Sequence, residues 1–443
     1  MKPEYLKMMK MLDDGPTRAE TPHRLERIPI RFMGKDGLVH EKTLGLAIPE
    51  GALLPCPVIF IAHYGIDAKT VGKHEGLAHG FAVAGNLENV PADNALLFDD
   101  DLYFNSACID ALHRRPEIDP AKVVVMGGSA GGYQTLMLTA LHLGIAASVD
   151  FSGFVNPYFT LISYVSAITA ANLDALQTMP EHEKKDLQKL MEHLPMPLHM
   201  AVFPTFSAEN PSKGRKACMQ FSWSPAGLAA CYSNPVILVH NTADSLVPID
   251  QITREFTYTE NGASMPAGLS LRLSDYEFPE EESKRALTEL LPKEAYSMIR
   301  IPAPEKGAEV QAPFDPDNNL QIVIIDDGRP EAWNGHSAVT AGTVSAMDFI
   351  ENALRDEHGK RQTLSDEKLL LLLQKAAGLC PIFPLFPSEE EGVYGTPEQV
   401  QASVLSELRA YAEQCGSREM LLEKARDLAF RHQELKTVLD QLA

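Results

Sequence analysis

The chain has 443 residues, with 39 Lys or Arg against 60 Asp or Glu, so its formal net charge is −21. A charge of this sign disfavours a broad electrostatic contact with nucleic acid or with anionic lipid. Hydrophobic residues make up 45% and charged residues 22%, which is typical of a globular protein and excludes a disordered or fibrous one.

The six cysteines are scattered and form no CxxC pair, which indicates reduced thiols rather than a disulfide framework. No apolar run reaches the roughly 18 residues of a membrane-spanning helix, and the N-terminal segment MKPEYLKMMKMLDDGPTR lacks the apolar core of a signal peptide. We therefore expect a cytoplasmic protein without membrane contact.

Short apolar segments alternate with helical patterns along most of the chain. The extended segments are RIPIRFM, LVHEKTLGLAIP, PVIFIAHYG, GFAVAG, KVVVMGG, ASVDFSG, NPVILVHN and NLQIVIIDDG. Helical patterns lie between several of them, such as DDDLYFNSACIDALHRR before KVVVMGG, and SAVTAGTVSAMDFIENAL follows the last. This alternation predicts an α/β fold, a mostly parallel sheet flanked by helices.

Two segments interrupt the alternation. Residues 155–224 contain a charged helical stretch and a stretch rich in Pro and aromatic residues, and residues 251–318 are rich in Pro and Glu. They predict inserted lid segments or, alternatively, extra surface packing. The sheet core would then consist of 25–154, 225–250 and 319–352.

Residues 353–443 have the pattern of a C-terminal helical extension. Thr396-Pro397-Glu398-Gln399 is typical of a helix start, and Gly416 of a stop. In the last helix, apolar positions and one histidine recur at spacings of four and three: Leu421, Ala425, Leu428, His432, Leu435, Leu439 and Leu442. This heptad seam predicts either packing against its own chain, which we favour, or a homo-oligomer formed through the C-terminal helices.

The strongest chemical signal is the sequence Met126-Gly127-Gly128-Ser129-Ala130-Gly131-Gly132, between a predicted strand and a predicted helix. Gly127 and Gly131 flank Ser129 in the spacing G-x-S-x-G of a nucleophile elbow, where a tight strand-to-helix turn needs residues without side chains. The turn lifts the serine hydroxyl above the sheet and lets the Ala130 amide donate to a developing oxyanion. The alternative, a phosphate-binding turn, lacks an accompanying GK[ST] or G-x-G-x-x-G pattern.

A serine nucleophile needs a base that a third group orients. Asp244 follows the strand PVILVH, and His336 follows the strand LQIVIID, so the chain order is serine, acid, histidine. All three residues follow the carboxyl ends of strands, where open parallel sheets place their active sites. Ser129, Asp244 and His336 are therefore the predicted catalytic triad.

These motifs resemble the α/β-hydrolase superfamily, and within it the prolyl-oligopeptidase-like serine hydrolases and related esterases. The resemblance rests on GGSAGG, on HNTADSLVP with Gln251 three residues after its proline, on IDPAKVVVMG and on the loop His63-Tyr64-Gly65. It implies an α/β-hydrolase fold and acyl transfer without a cofactor. It also implies that Tyr64 supplies the second oxyanion donor, through either its N–H or its O–H.

Other residues compete for these roles. His240 and His63 are alternative histidines, although a structural role fits each better, and Asp326 and Asp327 are alternative acids that lie on the strand end of His336 itself. Cys108 is interpreted as a core residue. The histidines form no HExxH motif and no convincing zinc spacing, so no metal is expected.

The sequence thus predicts a serine hydrolase that cleaves a carboxylic ester of a small molecule. The competing hypotheses are a peptidase or amidase acting on small peptides and a non-catalytic binding protein with a hydrolase fold. Residues 75–113 contain seven acids and no Lys or Arg, which favours a neutral or cationic substrate. The acids are Glu75, Glu88, Asp93, Asp99, Asp100, Asp101 and Asp110.

Overall fold

The computed structural model describes most of the predicted sheet core and of the C-terminal helical extension. The described residues are 16–34, 36–87, 101–156, 221–242, 244, 247, 249–253, 285–305, 308–327, 343–355, 364–415 and 418–442. Most of 155–224 and about half of 251–318, the two segments predicted as insertions, lie outside these ranges, as does His336.

Eleven strands are present in the described part of the chain. They are β1 (His23–Met33), β2 (Val39–Pro49), β3 (Cys56–Ile61), β4 (Ala82–Asn86), β5 (Ile118–Gly128), β6 (Ala147–Phe151), β7 (Val236–Asn241), β8 (Tyr296–Pro302), β9 (Val310–Gln311), β10 (Leu320–Asp326) and β11 (Val344–Ser345). Nine of them form one sheet in the order β1-β2-β4-β3-β5-β6-β7-β10-β8, and β9 and β11 form a separate pair. All eight strands predicted from the sequence are in the large sheet.

The large sheet is antiparallel only at its β1 end. β1 pairs with β2 and β2 with β4 in antiparallel register. Every later neighbour is parallel, from β4 and β3 through to β10 and β8. The parallel strands therefore present their carboxyl ends along one common edge.

The described residues form nine α-helices. They are α1 (Glu75–Ala78), α2 (Asp101–His113), α3 (Ala130–Leu141), α4 (Leu287–Leu290), α5 (Met347–Ala353), α6 (Asp366–Ala376), α7 (Pro397–Cys415), α8 (Arg418–Arg431) and α9 (Lys436–Leu442). Short 3₁₀ turns occupy Val71–Lys73, Phe221–Trp223, Ala229–Cys231, Ile249–Gln251, Lys293–Ala295 and Gln433–Leu435. No described helix is both long and apolar enough to cross a bilayer.

Alternate residues of the central strands face two separate apolar layers. In β5, Val123 and Val125 pack in a core shared with α2, α3 and the C-terminal helices. Val124 faces the opposite side, where it packs in the layer that contains Phe349 and Ile350 of α5. This two-residue alternation and the helices on both faces confirm the predicted α/β class.

Three sequence expectations need correction. β8 lies inside 251–318, and it extends the sheet by pairing with β10. The helical pattern at 337–354 is helical only from Met347 in its described part, because Val344 and Ser345 pair with β9. The last helix is two helices, since the 3₁₀ turn Gln433–Leu435 separates α8 from α9.

Candidate active site

The predicted site residues follow the carboxyl ends of neighbouring parallel strands. His63 and Tyr64 follow β3, Ser129 follows β5 and Asp244 follows β7. These strands are in the sheet order β3-β5-β6-β7, so the topology places their following loops along one edge. His336 lies outside the described residues, so its prediction stays untested.

Ser129 is held in a sharp turn between β5 and α3. Its backbone has φ 54° and ψ −119°, a conformation that L-residues rarely adopt, and α3 begins at the next residue. Its amide donates to the Phe151 carbonyl of β6 at 2.8 Å, which anchors the turn to the sheet. The Ser129 side chain makes no capping hydrogen bond to α3, so the helix does not engage the hydroxyl.

The two elbow glycines are required by close backbone approach. A Cβ on Gly127 would lie 2.3 Å from the Gly131 carbonyl carbon, and a Cβ on Gly131 would lie 2.7 Å from the Ala62 carbonyl oxygen. Any side chain at either position would push α3 away from β5 or from the β3 loop. The spacing seen in the sequence thus corresponds to real contacts.

The first amide of α3 belongs to Ala130, which is almost fully buried. A helix leaves its first N–H groups without partners inside the helix, and the helix dipole adds positive potential there. An oxyanion bound beside Ser129 would meet these groups. The role of Ala130 as an oxyanion donor stays a prediction.

Tyr64 stands beside the elbow. Its ring carbon Cδ2 lies 3.6 Å from where a Cβ on Gly131 would be, and its ring meets the His63 ring edge-on at 4.5 Å between centroids. Tyr64 is 52% exposed to solvent. The Tyr64 amide donates to the Ala62 carbonyl at 2.9 Å in a tight turn through His63, which has φ 65°. The Tyr64 amide is therefore engaged in this turn.

Asp244 is fully buried in the loop after β7. Its Oδ1 accepts from the Val247 amide at 2.9 Å, and its own amide donates to the Asn241 carbonyl at 3.0 Å. The side chain of Asn241 donates to Oδ2 of Asp327 at 3.1 Å. Asn241, which the sequence did not single out, therefore links the predicted acid to Asp327, a competing candidate for the same role.

The remaining competitors for the triad lie in different environments. Asp326 is about half exposed and pairs with Arg300 of β8 at 2.6 Å, at the far side of the sheet from the elbow. His240 is fully buried within β7, and Cys108 is fully buried in α2, as a core residue would be. The pKa of the Cys108 thiol is raised well above its ordinary value by burial, which makes it a poor nucleophile.

Strained backbone concentrates at this edge. Among the described non-glycine residues, positive φ occurs at His63, Ser129 and Ser152, with φ values of 65°, 54° and 53°. They follow β3, β5 and β6, which are adjacent in the sheet. Such strain persists where the surrounding structure enforces it, and it is frequent at functional sites.

Asp150 is a buried carboxyl beneath the elbow that the sequence did not predict as part of the site. It lies opposite Gly127 in the β5–β6 register, and a Cβ on Gly132 would lie 1.9 Å from its Oδ1. Oδ1 accepts from the Gly153 amide at 2.8 Å, while Oδ2 has no hydrogen-bond partner among the described residues. Burial raises the pKa of Asp150 to about 8, and the Gly153 amide opposes that shift. An acidic residue within the apolar segment ASVDFSG was the available signal.

The side chain of Gln251 links two loops at this edge of the sheet. Gln251 belongs to the sequence motif that follows Asp244. Its Oε1 accepts from the amides of Val155 and Asn156 at 2.6 and 3.1 Å. The turn that follows β6 is thereby fixed to the 3₁₀ turn that follows β7. Both loops are held in place by a fully buried amide side chain.

Two of the seven acids expected to shape the local charge have described side chains. Glu75 forms an ion pair with Arg18 at 2.9 Å, and Asp110 forms one with Arg114, just beyond the last turn of α2. These partners offset their charges. Across the residues that the structure describes, no three His, Cys, Asp or Glu side chains gather as a metal site requires.

No protein-family model and no curated protein matches the sequence. Similar solved structures include 2,6-dihydroxy-pseudo-oxynicotine hydrolase, at 16% identity and a TM-score of 0.37, with 77% of this chain and 69% of that one covered. An acylaminoacyl peptidase of Pyrococcus horikoshii has 16% identity and a TM-score of 0.38, with 76% and 40% covered. A puromycin-hydrolyzing peptidase of Mycobacterium tuberculosis has 16% identity and a TM-score of 0.37, with 78% and 41% covered. The chain thus spans about two fifths of the length of each peptidase.

The chain's own topology decides its fold class. Its sheet order, antiparallel at one end and parallel through β3, β5, β6, β7 and β10, is combined with a strained serine between β5 and α3. The chain has the α/β-hydrolase fold.

Proposed function

We propose that the protein is a serine hydrolase that cleaves a carboxylic ester through an acyl-enzyme. The observation that carries the proposal is the geometry of Ser129, a strained residue at the end of a parallel strand with a helix N-terminus directly after it. A glycine-rich turn that only joined a strand to a helix would not need a serine at φ 54°. This conformation costs free energy that a structural turn could avoid.

The proposed reaction has two halves. Oγ of Ser129 attacks the ester carbonyl carbon while His336 takes the hydroxyl proton, and Asp244 orients the imidazole and stabilises its charged form. The oxyanion is held by the Ala130 amide and the Tyr64 hydroxyl. Collapse breaks the ester bond, the alcohol leaves with the proton from His336, and water then hydrolyses the acyl-Ser129 by the same steps.

A fluorophosphonate probe tests the nucleophile directly. We expect one equivalent of probe to attach to the protein and peptide mapping to find it on Ser129. Ser129→Ala should abolish labelling and turnover, whereas Ser406→Ala, at an exposed position of α7, should change neither. Labelling that survives Ser129→Ala would reject the assignment.

A substrate panel separates the reaction classes. Nitrophenyl esters of graded acyl length report esterase activity, and aminoacyl-naphthylamides report peptidase or amidase activity. We expect the esters to be turned over faster. Absence of turnover on ester, thioester and amide panels would instead support a non-catalytic binding protein.

A further inference from the structure

The carboxyl end of α3, the helix that begins at the proposed nucleophile, is buried among charged side chains of the C-terminal helices. Lys368 and Lys375 of α6 are both fully buried. Nζ of Lys368 donates to the carbonyls of Thr139 and His142, the latter at 2.6 Å, and Nζ of Lys375 donates to the Leu141 carbonyl at 2.9 Å. A helix leaves its last carbonyls without partners inside the helix. Here two ammonium groups satisfy two of these carbonyls and that of the cap residue His142.

A carboxylate from a second C-terminal helix completes this contact. Oε2 of Glu407, in α7, accepts from the Leu143 amide at 2.6 Å, and Oε1 lies 2.9 Å from Nδ1 of His142. The residues that follow α3 are therefore held by α7 and the last turn of α3 by α6. We refer to Lys368, Lys375, Glu407 and His142 as the carboxyl-end cluster.

The hydrogen bonds of the carboxyl-end cluster define the protonation state of His142. Nε2 lies 3.0 Å from Oγ of Ser106 and 3.3 Å from Nζ of Lys375. Because an ammonium group only donates, Nε2 of His142 accepts. Nδ1 therefore carries the proton and donates a hydrogen bond to Oε1 of Glu407. Burial and the nearby Lys375 charge lower the pKa of His142 to about 4, in agreement with this neutral form.

Burying the charges of the carboxyl-end cluster destabilises the fold unless all members of the cluster are present. Burial lowers the pKa of Lys368 to about 7 and lowers that of Lys375, while the neighbouring Glu407 carboxylate raises both. Removing one member of a buried charged group leaves an uncompensated charge, which is strongly destabilising. The C-terminal helices are thus bound to α3 by contacts that depend on one another.

The position of α3 sets the position of the proposed nucleophile. The helix is a rod of 12 residues, about 18 Å long, with Ser129 and the Ala130 amide at one end and the carboxyl-end cluster at the other. Tyr64 and Asp244 lie on loops after β3 and β7, outside α3. A shift of the rod would therefore move Ser129 relative to both. A displacement of about 1 Å can lower a rate by about 100-fold.

We propose that Lys368, Lys375 and Glu407 are positioning residues for the hydrolysis proposed above: they fix the carboxyl end of α3 and thereby place Ser129. This inference rests on the proposed function for its kinetic consequence. The structural part of the inference is that the C-terminal helices hold α3 in place. That part depends only on the hydrogen bonds described above.

The first test replaces Glu407 by glutamine, which keeps the size of the side chain but removes the negative charge near both ammonium groups. It also replaces one of the two oxygens that accept from the Leu143 amide and from His142 by an NH2 group. We expect Glu407→Gln to lower kcat by about 10- to 100-fold while KM stays within about twofold. Glu413→Gln, the same change on an exposed position of the same helix, is the matched control and should leave kcat unchanged.

The second test restores the charge balance. The double variant Glu407→Gln/Lys375→Met has the wild-type net charge in the carboxyl-end cluster but lacks the Lys375 donor to the Leu141 carbonyl, so we expect it to recover part of the lost kcat. A role in stability alone would lower the melting temperature without this kinetic loss and rescue. Unchanged kcat in Glu407→Gln would overturn the proposal, as would a double variant no better than the single one. If Glu407→Gln does not fold, Lys375→Met is compared with the double variant instead. A wild-type kcat in both of these variants would overturn the proposal.

Hydrogen exchange separates failure of this inference from failure of the proposed function. Backbone amides in peptides that cover 136–143 should exchange faster in Glu407→Gln than in Glu413→Gln, whether or not the protein turns over any ester. If the wild type shows no turnover but the exchange difference is present, the proposed reaction fails and the anchoring of α3 stands. If both variants are active and their 136–143 amides exchange at the same rate, the claim that Glu407 anchors α3 is rejected.

Discussion

The structure bears on which group of Tyr64 would donate to the oxyanion, its backbone amide or its side-chain hydroxyl. Its amide is engaged in the turn with Ala62, while its ring lies beside Gly131 of the elbow. We expect Tyr64→Phe, which removes only the hydroxyl, to lower kcat by about 100- to 1,000-fold with little change in KM. Tyr296→Phe, on β8 at the opposite end of the sheet, is the control. Full activity in Tyr64→Phe would assign the second oxyanion donor to a backbone amide.

Asp150 gives a prediction about stability and pH. Its folded pKa of about 8 is raised above the ordinary 3.8, so between these values the folded state holds a proton that the unfolded state has released. Stability contributed by this group is therefore lost as pH rises from about 4 to about 8. Asp150→Asn removes this dependence and keeps an oxygen that accepts from Gly153.

Urea unfolding of the wild type and of Asp150→Asn at several pH values measures this effect. The free energy of unfolding of the wild type should fall relative to the variant as pH rises, by up to about 1.4 kcal/mol per pH unit. Other titrating groups are shared by the two proteins and cancel in the difference. Parallel curves would show that Asp150 is ionised throughout this range.

At the scale of elements, the sequence predicts the central strands and the β1 edge of the sheet but misses β8 at the opposite edge. β3, β5, β6, β7 and β10 are short apolar runs with polar loops, because both of their faces are buried. β8 was not predicted, because its sequence YSMIRIP has only one half-buried face and lies in a segment rich in Pro and Glu. Its pairing with β10 is set by the fold rather than by the local sequence.

The carboxyl-end cluster shows a second limit of prediction from sequence. Lys368 and Lys375 are seven residues apart on one face of α6, and a lysine is ordinarily expected at the surface. They are buried because the last carbonyls of α3, more than 200 residues earlier in the chain, need donors. No local pattern in DEKLLLLLQKA contains that information. The elbow, by contrast, is a local sequence motif that can be recognised without the structure, whereas its contacts with Ala62, Phe151 and Asp150 come from other parts of the chain and were not predicted.

Ser365 begins α6 and gives a prediction for this element. Its Oγ accepts from the Lys368 amide at 3.1 Å and lies 3.0 Å from the Ala230 carbonyl, to which the hydroxyl donates. We expect Ser365→Ala to lower the free energy of unfolding by about 0.5–2 kcal/mol, since one amide of the first turn loses its partner. Ser365→Thr keeps the hydroxyl and should cost less in the same urea titration. Equal losses in both variants would show that the cap contributes nothing.

For the whole molecule, the C-terminal helices and the sheet share one core. Leu421, Ala425 and Leu428 of α8 and Leu439 of α9 are buried in the same apolar cluster as Phe32 of β1 and Val125 of β5. Four of the leucines predicted to form a heptad seam, Leu421, Leu428, Leu435 and Leu439, thus pack against their own chain. Helices that looked like an extension are part of the layer that covers α3.

The charge of the whole molecule leads to the last prediction, which concerns the substrate. A net charge of −21 creates a negative potential that attracts cations over distances set by the ionic strength. The ion pairs of Glu75 and Asp110 reduce the local contribution of those two acids, so the expected preference for neutral or cationic esters rests on the overall field. It should therefore depend strongly on salt.

A series of esters tests this preference. They share the same acyl group, and their alcohol groups differ only in charge. At about 0.01 M salt, where the screening length is about 30 Å, we expect kcat/KM to be highest for the cationic alcohol and lowest for the anionic one. At about 1 M salt, where screening acts within about 3 Å, the ratio should approach one. A preference that persists at high salt would indicate a contact inside the binding pocket instead. Faster turnover of the anionic ester at low salt would mean that basic side chains near Ser129 outweigh the charge of the whole molecule.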